Sequence, residues 1–344
     1  MPLGTQQVQP RALGLVSGGL DSLLAARLMV RLGFDARAVH FRTGFVKPAR
    51  ERALQPAAEA PGLGGHCLPP RVVDVREPYL EQVVLSPKYG YGSGMNPCID
   101  CRIFMLRQAK LSARDQGIEV VFTGDVIGQR AFDQSRSALR RIEEDAGLEG
   151  EVLRPLSAGL LDPTVAERNG WVQRGSLLRL HGRGRAGQLD LARELGLEAF
   201  PTPSGGCCRL ADRAFARRLR DLVAHRVGAK VCVEDTESLG LGRHFRLAWD
   251  LKVIVGRDAG ECARLARRAG DRLWTVAPVS GTGTLALLEG RPDAGRLAEA
   301  GRLVARYSGN RAGTEREVVI RGPGTPQRIC AVAADARQLE RWRI

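Results

Sequence analysis

Apolar residues recur with two different periods along this chain, and each change of period marks an element. Residues 11–16, which hold the run ALGLV, read as a short strand. Between 21 and 32, Leu23, Leu24, Ala26, Leu28 and Met29 keep the spacing of a helix, which Gly33 ends. DARAVHF (35–41), RVVDV (71–75), IEVVFTGD (118–125) and EVLRPL (151–156) predict further strands. A helix is expected from the CIDC stretch at 98–101 onward, with Ile103, Phe104, Leu106 and Leu111 on its apolar side. Others are expected at about 134–144, 186–196 and 211–227. The glycine- and tyrosine-rich SPKYGYGSGMNP, within 76–97, reads as a flexible loop. Strand, glycine turn, helix, strand is the opening of an open parallel α/β sheet.

From about 235 the pattern changes to short strands broken by glycine, with one helix pattern, GECARLARRAG, among them. The expected organisation is an α/β open-sheet domain over 1–165, a helical extension over 166–234, and a smaller α+β domain over 235–344.

Charge sharpens that division. The 344 residues carry a net charge of +14, but residues 1–165 contribute only +2 and residues 166–344 contribute +12. A surplus confined to one half is the footprint of a polyanion-binding surface, and RNA is the expected polyanion. Against this, 47 of the 52 basic residues are arginine, so a composition bias would also serve. No window approaches eighteen uninterrupted apolar residues, and no secretory pattern opens the chain, so a cytoplasmic protein with no membrane partner is expected. In such a setting eight cysteines point to metal, catalysis or burial and not to a disulfide framework.

The turn SGGLDS (17–22) leaves a strand and enters a helix, where free backbone N–H groups and the helix dipole favour an anion. Gly18 and Gly19 permit close backbone approach, and the Ser17 and Ser22 hydroxyls can donate to phosphate oxygens. The turn has no lysine, so it is not a Walker loop, and its glycines are not spaced as in a dinucleotide fold. Asp21 would repel phosphate unless a Mg²⁺ ion bridges the two.

This turn resembles the pyrophosphate (PP) loop of the ATP pyrophosphatases, which include tRNA-thiolating enzymes and the asparagine, GMP and NAD synthetases. The resemblance implies an adenine-nucleotide α-hydrolase-like (HUP) sheet that cleaves ATP between its α and β phosphates and adenylates an oxygen of the substrate. By the same resemblance His40 and Phe41 would line the adenine and ribose side. Gly124 and Asp125, at the end of the fourth strand, would face the nucleotide.

Cys98 and Cys101 alone are a weak signal, and no second C-x-x-C exists to complete a zinc site. With Cys207 they make three thiols, which would leave one iron of a 4Fe-4S cluster open. Cluster-dependent tRNA thiolases of this superfamily resemble this arrangement, and Cys208 competes with Cys207 for the third place. The same residues resemble the persulfide scheme of tRNA 2-thiouridylases, with Cys101 and Cys207 as the pair. Cys67, Cys232, Cys262 and Cys330 read as buried bystanders.

VFTGDVIGQRAFDQS and VLRPL resemble 4-thiouridine synthetases, while MNPCIDCRIFM is nearer to 2-thiouridylases. Residues 255–288 resemble the small RNA-binding domain of ribosome-quality-control and fibronectin-binding-type proteins, with Thr275 where that motif has histidine. Arg243, His244, Arg246, Lys252 and Arg257 on its opening elements could then meet phosphates, or form a solvated sheet face. These resemblances imply an ATP- and Mg²⁺-dependent tRNA sulfurtransferase, with a 4Fe-4S cluster or a cysteine persulfide. Neither the N-terminal RNA-binding region of 4-thiouridine synthetases nor a rhodanese-like domain is recognisable. Sulfur is therefore expected as free sulfide or from a separate carrier or cysteine desulfurase, and a homodimer is allowed. A small-molecule pyrophosphatase and a non-catalytic iron–sulfur RNA-binding protein are the competing readings.

Overall fold

The computed structural model describes residues 10–47, 70–197, 200, 206–226, 228, 230–280, 284–309 and 311–344. The chain divides into two compact units, Met1–Asp212 and Arg213–Ile344.

The first unit is built on five parallel strands: β1 (Arg11–Leu15), β2 (Asp35–Arg42), β3 (Arg71–Asp74), β4 (Val120–Thr123) and β5 (Val152–Leu153). Their order, β3-β2-β1-β4-β5, puts β1 in the centre and reverses direction beside it. Ligands of open sheets bind at the carboxyl ends of strands at that switch point. Four helices matter here: α1 (Leu20–Arg31), α2 (Cys98–Asp115), α3 (Arg136–Ala146) and α4 (Ala186–Glu194). Leu20, Leu24, Leu28 and Met29 bring one face of α1 into the core with Phe122, Leu153 and Leu156. On α2, Ile103, Phe104 and Leu106 are buried as their spacing predicts, but Leu111 is 54% exposed. Leu111 falls outside the stripe that the sheet covers.

The expected flexible loop is braced. A short helix over Arg76–Tyr79 runs into a wider turn at Leu80–Val84. Beyond it Asp100 accepts from the Lys88 and Tyr89 backbone N–H groups at 2.8 and 3.1 Å. The Tyr91 hydroxyl donates to the Val84 carbonyl at 2.7 Å. A side chain at Gly94 would place its Cβ 2.2 Å from the Leu210 carbonyl oxygen. The glycine there permits close packing, and the loop is held against residues 206–211.

The second unit is a six-stranded antiparallel sheet: β6 (Arg243–Ala248), β7 (Leu251–Val255), β8 (Trp274–Pro278), β9 (Ala286–Glu289), β10 (Glu315–Arg321) and β11 (Gln327–Val332). The order is β11-β10-β8-β9-β7-β6. The helix α5 (Arg213–His225) precedes the sheet; α6 (Ala259–Ala269), α7 (Ala294–Tyr307) and α8 (Ala336–Trp342) follow in sequence. Alternation along the strands serves two cores. Phe245, Val253 and Leu288 pack with α7, whereas Ile254 and Leu287 pack with Leu265 and Ala269 of α6. The sequence reading overlooked α7, because Gly295 and Gly301 interrupt a stripe that Leu297, Ala300, Leu303 and Val304 otherwise define.

The basic residues expected to meet phosphates on the opening elements are engaged internally. Lys252 is buried with Nζ 3.7 Å from Glu289, and Arg246 pairs with Asp221. Arg257 binds Glu261, whose carboxyl it holds down at about 2. Arg243 lies over the Tyr307 ring. Burial pushes the His244 imidazole well below its usual range, so it is neutral at physiological pH. The bystander cysteines divide: Cys262 is buried, Cys232 partly so, and Cys330 is exposed on β11; Cys67 lies outside the described residues.

Gly14 of β1 sits opposite Phe122 of β4, and a Cβ there would lie 2.3 Å from the phenyl ring. Gly14→Ala should therefore cost about 1–3 kcal/mol of stability through overpacking. Urea unfolding would read this as a lower midpoint.

Candidate functional site

The PP-turn grows directly out of β1. Gly18 takes a φ of +71°, a conformation that favours glycine, and this lets the chain turn back onto α1. Ser22 then closes the turn. Its hydroxyl donates to the Gly19 carbonyl at 2.8 Å and accepts from the Ser17 N–H at 3.3 Å. The end of β4 packs against this turn so closely that a Cβ on Gly124 would lie 2.4 Å from the Asp21 carbonyl oxygen.

A cavity of about 450 Å³ opens at these strand ends, a size that suits a nucleotide. Its lining includes Ser17, Gly19, Asp21 and Ser22, and also His40, Phe41, Gly124 and Asp125. Cys98, Cys101, Cys207 and Cys208 line the same cavity. The sequence-predicted residues are thus gathered in one place; Gly18 shapes the turn but is not among the lining residues. His40 is buried with Nδ1–H donating to the Val16 carbonyl at 2.9 Å, so it braces the strand ends.

The cysteines arrive from two directions. Cys98 and Cys101 occupy the first turn of α2. Cys207 and Cys208 are carried by a segment bridged to the residues after β2. Val46 pairs with Cys208, and the Arg209 N–H donates to the Phe45 carbonyl at 2.8 Å. A helix N-terminus alone would favour thiolates, yet burial wins here. It raises the Cys98 thiol and, with the neighbouring Cys207 charge, pushes Cys101 up to about 12. The buried Tyr79 hydroxyl donates to Cys101 and partly opposes that rise. Cys208 is raised strongly by its hydrogen bond to Cys207 and by burial. The Asn96 amide donates to Cys98 at 3.2 Å, and Arg130 Nη1 reaches Cys207 Sγ at 3.8 Å.

Between turn and thiols runs a network that sequence reasoning missed. Asp125 ion-pairs with Arg102 and, at 3.6 Å, with Arg154; the Thr123 hydroxyl and the Gln134 amide donate to it at 2.9 and 3.2 Å. Arg102 continues to Asp133 at 2.7 Å, and Arg130 reaches the same Asp133 oxygen at 2.8 Å. Burial alone would raise Asp125, but the two guanidinium groups outweigh it and hold the carboxyl well below the usual range. Arg102 directly follows Cys101 in the sequence, which was the available signal. Arg130 and Asp133 lie in the GQRAFDQ stretch, where Phe132 is 47% exposed beside lining residues.

Asp21 accepts from Gln129 Nε2 at 3.1 Å and lies 3.8 Å from Arg185 Nη2, while Arg185 Nε is buried without a hydrogen-bond partner among the described residues. An orphaned guanidinium N–H beside a turn rich in backbone donors fits a polyphosphate, and an aspartate at its edge fits Mg²⁺. The thiols have the donor chemistry of an iron–sulfur cluster. Among the described residues no group of three His, Cys, Asp or Glu side chains is disposed to hold a metal ion.

Comparison with known proteins agrees with this geometry. Residues 7–160 match the family model for the thiamine biosynthesis protein ThiI, and residues 242–343 match the NFACT protein RNA binding domain. The chain joins a PP-loop ATPase domain to an NFACT-type domain. The tRNA-specific 2-thiouridylase of Azorhizobium caulinodans is 30% identical over 42% of this chain and 39% of its own length. That of Acidithiobacillus ferrooxidans is 28% identical over 68% of this chain and 64% of its own. The probable tRNA sulfurtransferase of Thermus thermophilus is 30% identical over 46% of this chain and 37% of its own. The chain spans less than two thirds of the length of these relatives. No helix among the described residues is long and apolar enough to cross a membrane.

The Asp125 network should be essential to the PP-loop domain. Asp125→Ala leaves Arg102 and Arg154 short of a buried partner, and should cost about 3–5 kcal/mol in urea unfolding. The folded carboxyl titrates below its unfolded value of about 3.9. Its contribution is therefore complete above that pH and is lost as the pH falls through the lower, folded value. A variant as stable as the parent would overturn this assignment.

Proposed function

We propose that this chain is an ATP-dependent tRNA sulfurtransferase that adenylates a uridine carbonyl and replaces its oxygen with sulfur. One observation carries the reading: the PP-turn and four cysteines line a single cavity. An enzyme that only cleaved ATP would have no use for the thiols, and a thiol carrier would have no use for the turn.

In the first step the uridine O2 or O4 attacks the α-phosphate of ATP. The backbone N–H groups of residues 17–22, the α1 N-terminus and Arg185 receive the charge that grows on the departing pyrophosphate. Asp21 is the proposed Mg²⁺ ligand, and the ion would screen the phosphates. His40 and Phe41 would flank the adenosine, while Gly124 keeps β4 close enough to the turn to complete the wall. The base must leave its stack to enter the cavity.

For the second step the thiols support two routes. In one, a persulfide on Cys207 attacks the ring carbon; the new C–S bond forms as the C–O bond to AMP breaks. Cys101 then attacks the S–S bond, leaving the sulfur on the base and a Cys101–Cys207 disulfide that an external thiol reduces. Arg130 beside Cys207 favours this route, since a guanidinium stabilises the sulfur anion that attacks. In the other, Cys98, Cys101 and Cys207 (or Cys208) would hold a 4Fe-4S cluster, which would supply an open iron for sulfide. Free sulfide would serve the cluster route, whereas the persulfide route needs sulfane sulfur handed over as a persulfide by a separate carrier or cysteine desulfurase.

Incubation with ATP, Mg²⁺, tRNA and a sulfur source should release AMP and pyrophosphate in equal amounts and yield a thionucleoside detectable by mass spectrometry. ADP as the nucleotide product would defeat the proposal. Asp21→Ala should lose at least about 100-fold in AMP release, the scale of one electrostatic catalytic contact. Cys101→Ala and Cys207→Ala should still adenylate but not thiolate. Iron and acid-labile sulfide in anaerobically purified protein, lost with Cys98→Ala, would transfer the second step to the cluster route.

A further inference from the structure

Arg243, Arg246 and Lys252 on the opening strands of the second unit are engaged within it, so other side chains are better placed to meet a polyanion. Trp249, in the turn between β6 and β7, is 61% exposed, the highest value among the described large apolar side chains. Exposure of an indole is costly, and this one is held in place. The His225 ring from the end of α5 lies 4.4 Å from it at a 52° tilt. Arg246 Nη1 donates to the Trp249 carbonyl at 3.2 Å while Nε and Nη2 of the same side chain bind Asp221 of α5.

The helix that supplies His225 is basic on its outer face. Phe215, Ala216 and Leu219 bury one side of α5, and Arg213, Arg217 and Arg220 are exposed on the other. Their spacing of four and three residues aligns them in one ridge. Asp221, the sole acidic residue of α5, is already neutralised by Arg246. On the other flank of the turn, the Gly290 backbone packs against Asp250, and the exposed Arg291 follows it. A rigid aromatic platform bordered by guanidinium groups binds unpaired nucleotides: the ring stacks a base and the cations follow the phosphates.

We propose that α5 and the β6–β7 turn form a binding face for an unpaired stretch of RNA, with one base stacked on Trp249 and the backbone along Arg213, Arg217 and Arg220. The proposal rests on the reading of RNA as the partner. It adds to the NFACT match, which begins at residue 242 and leaves α5 outside. Single-stranded RNA is favoured over an acidic protein segment because a stacking ring needs a planar partner.

The test measures binding of the full chain to fluorescein-labelled oligouridine and to an RNA hairpin of similar charge. Trp249→Ala should weaken oligouridine on the order of tenfold or more, and the hairpin little, while Trp249→Phe keeps most of the affinity. Arg213→Glu with Arg217→Glu should weaken both and flatten the salt dependence of single-strand binding by about 1.4 in log–log slope. Because these side chains are exposed, thermal unfolding should not change. Oligouridine affinity unaltered by Trp249→Ala, or an equal loss for the hairpin, would overturn the stacking face. AMP release from ATP without tRNA thiolation would instead overturn the proposed reaction, leaving the binding result to stand by itself.

Discussion

A carboxylate placed between two guanidinium groups at the end of β4 determines how the first unit is put together. Asp125 is buried, and an isolated charge there would be untenable. Arg102 comes from α2 and Arg154 from the residues after β5, so the pairing fixes three separate segments around one point. Because Arg102 follows Cys101 directly, the same pairing sets the rotation of the α2 N-terminus and directs the two thiols of that turn toward the cavity. The continuation through Asp133 to Arg130 extends this constraint to Cys207.

The electrostatics of the cavity differ from one end to the other. At the turn, backbone N–H groups and Arg185 offer positive potential to an anion. Near the cysteines, burial dominates, so Cys98, Cys101 and Cys208 are held as neutral thiols. Arg130 Nη1 lies 3.8 Å from Cys207 Sγ, and Cys207 is on the segment that the braced 85–97 loop holds in position.

Much of this was legible in the sequence. A glycine turn after a buried strand dictates both a parallel sheet and the location of its ligand site, and the cysteines were recognisable by type and spacing. Local patterns singled out Asp125 but could not reveal its partners, because Arg102, Asp133 and Arg154 lie on separate segments and each reads as an ordinary surface charge. The 85–97 loop misled for a related reason: glycine marks freedom or close approach equally well, and only the partner at Leu210 distinguishes them. Charge balance changes near residue 165, whereas the compact units meet at 212/213, because composition registers surface chemistry and compactness registers the core.

The second unit illustrates the limits of reading net charge as a surface. Lys252, Arg246 and Arg268 contribute to the surplus but are tied to Glu289 and Asp221 within the fold, and the half-exposed Arg257 pairs with Glu261. Such pairs position elements; they offer little field to an approaching phosphate. Among the guanidinium groups exposed to solvent, Arg213, Arg217 and Arg220 are spaced along one helix face. There helical geometry holds the Cβ atoms that carry the guanidinium groups roughly 5–6 Å from their neighbours in the ridge. That interval lies close to the rise of successive phosphates in an extended strand, so the ridge suits a polymer better than a single anion. A helix that looks merely basic in composition becomes a directional track once its opposite face is committed to the core.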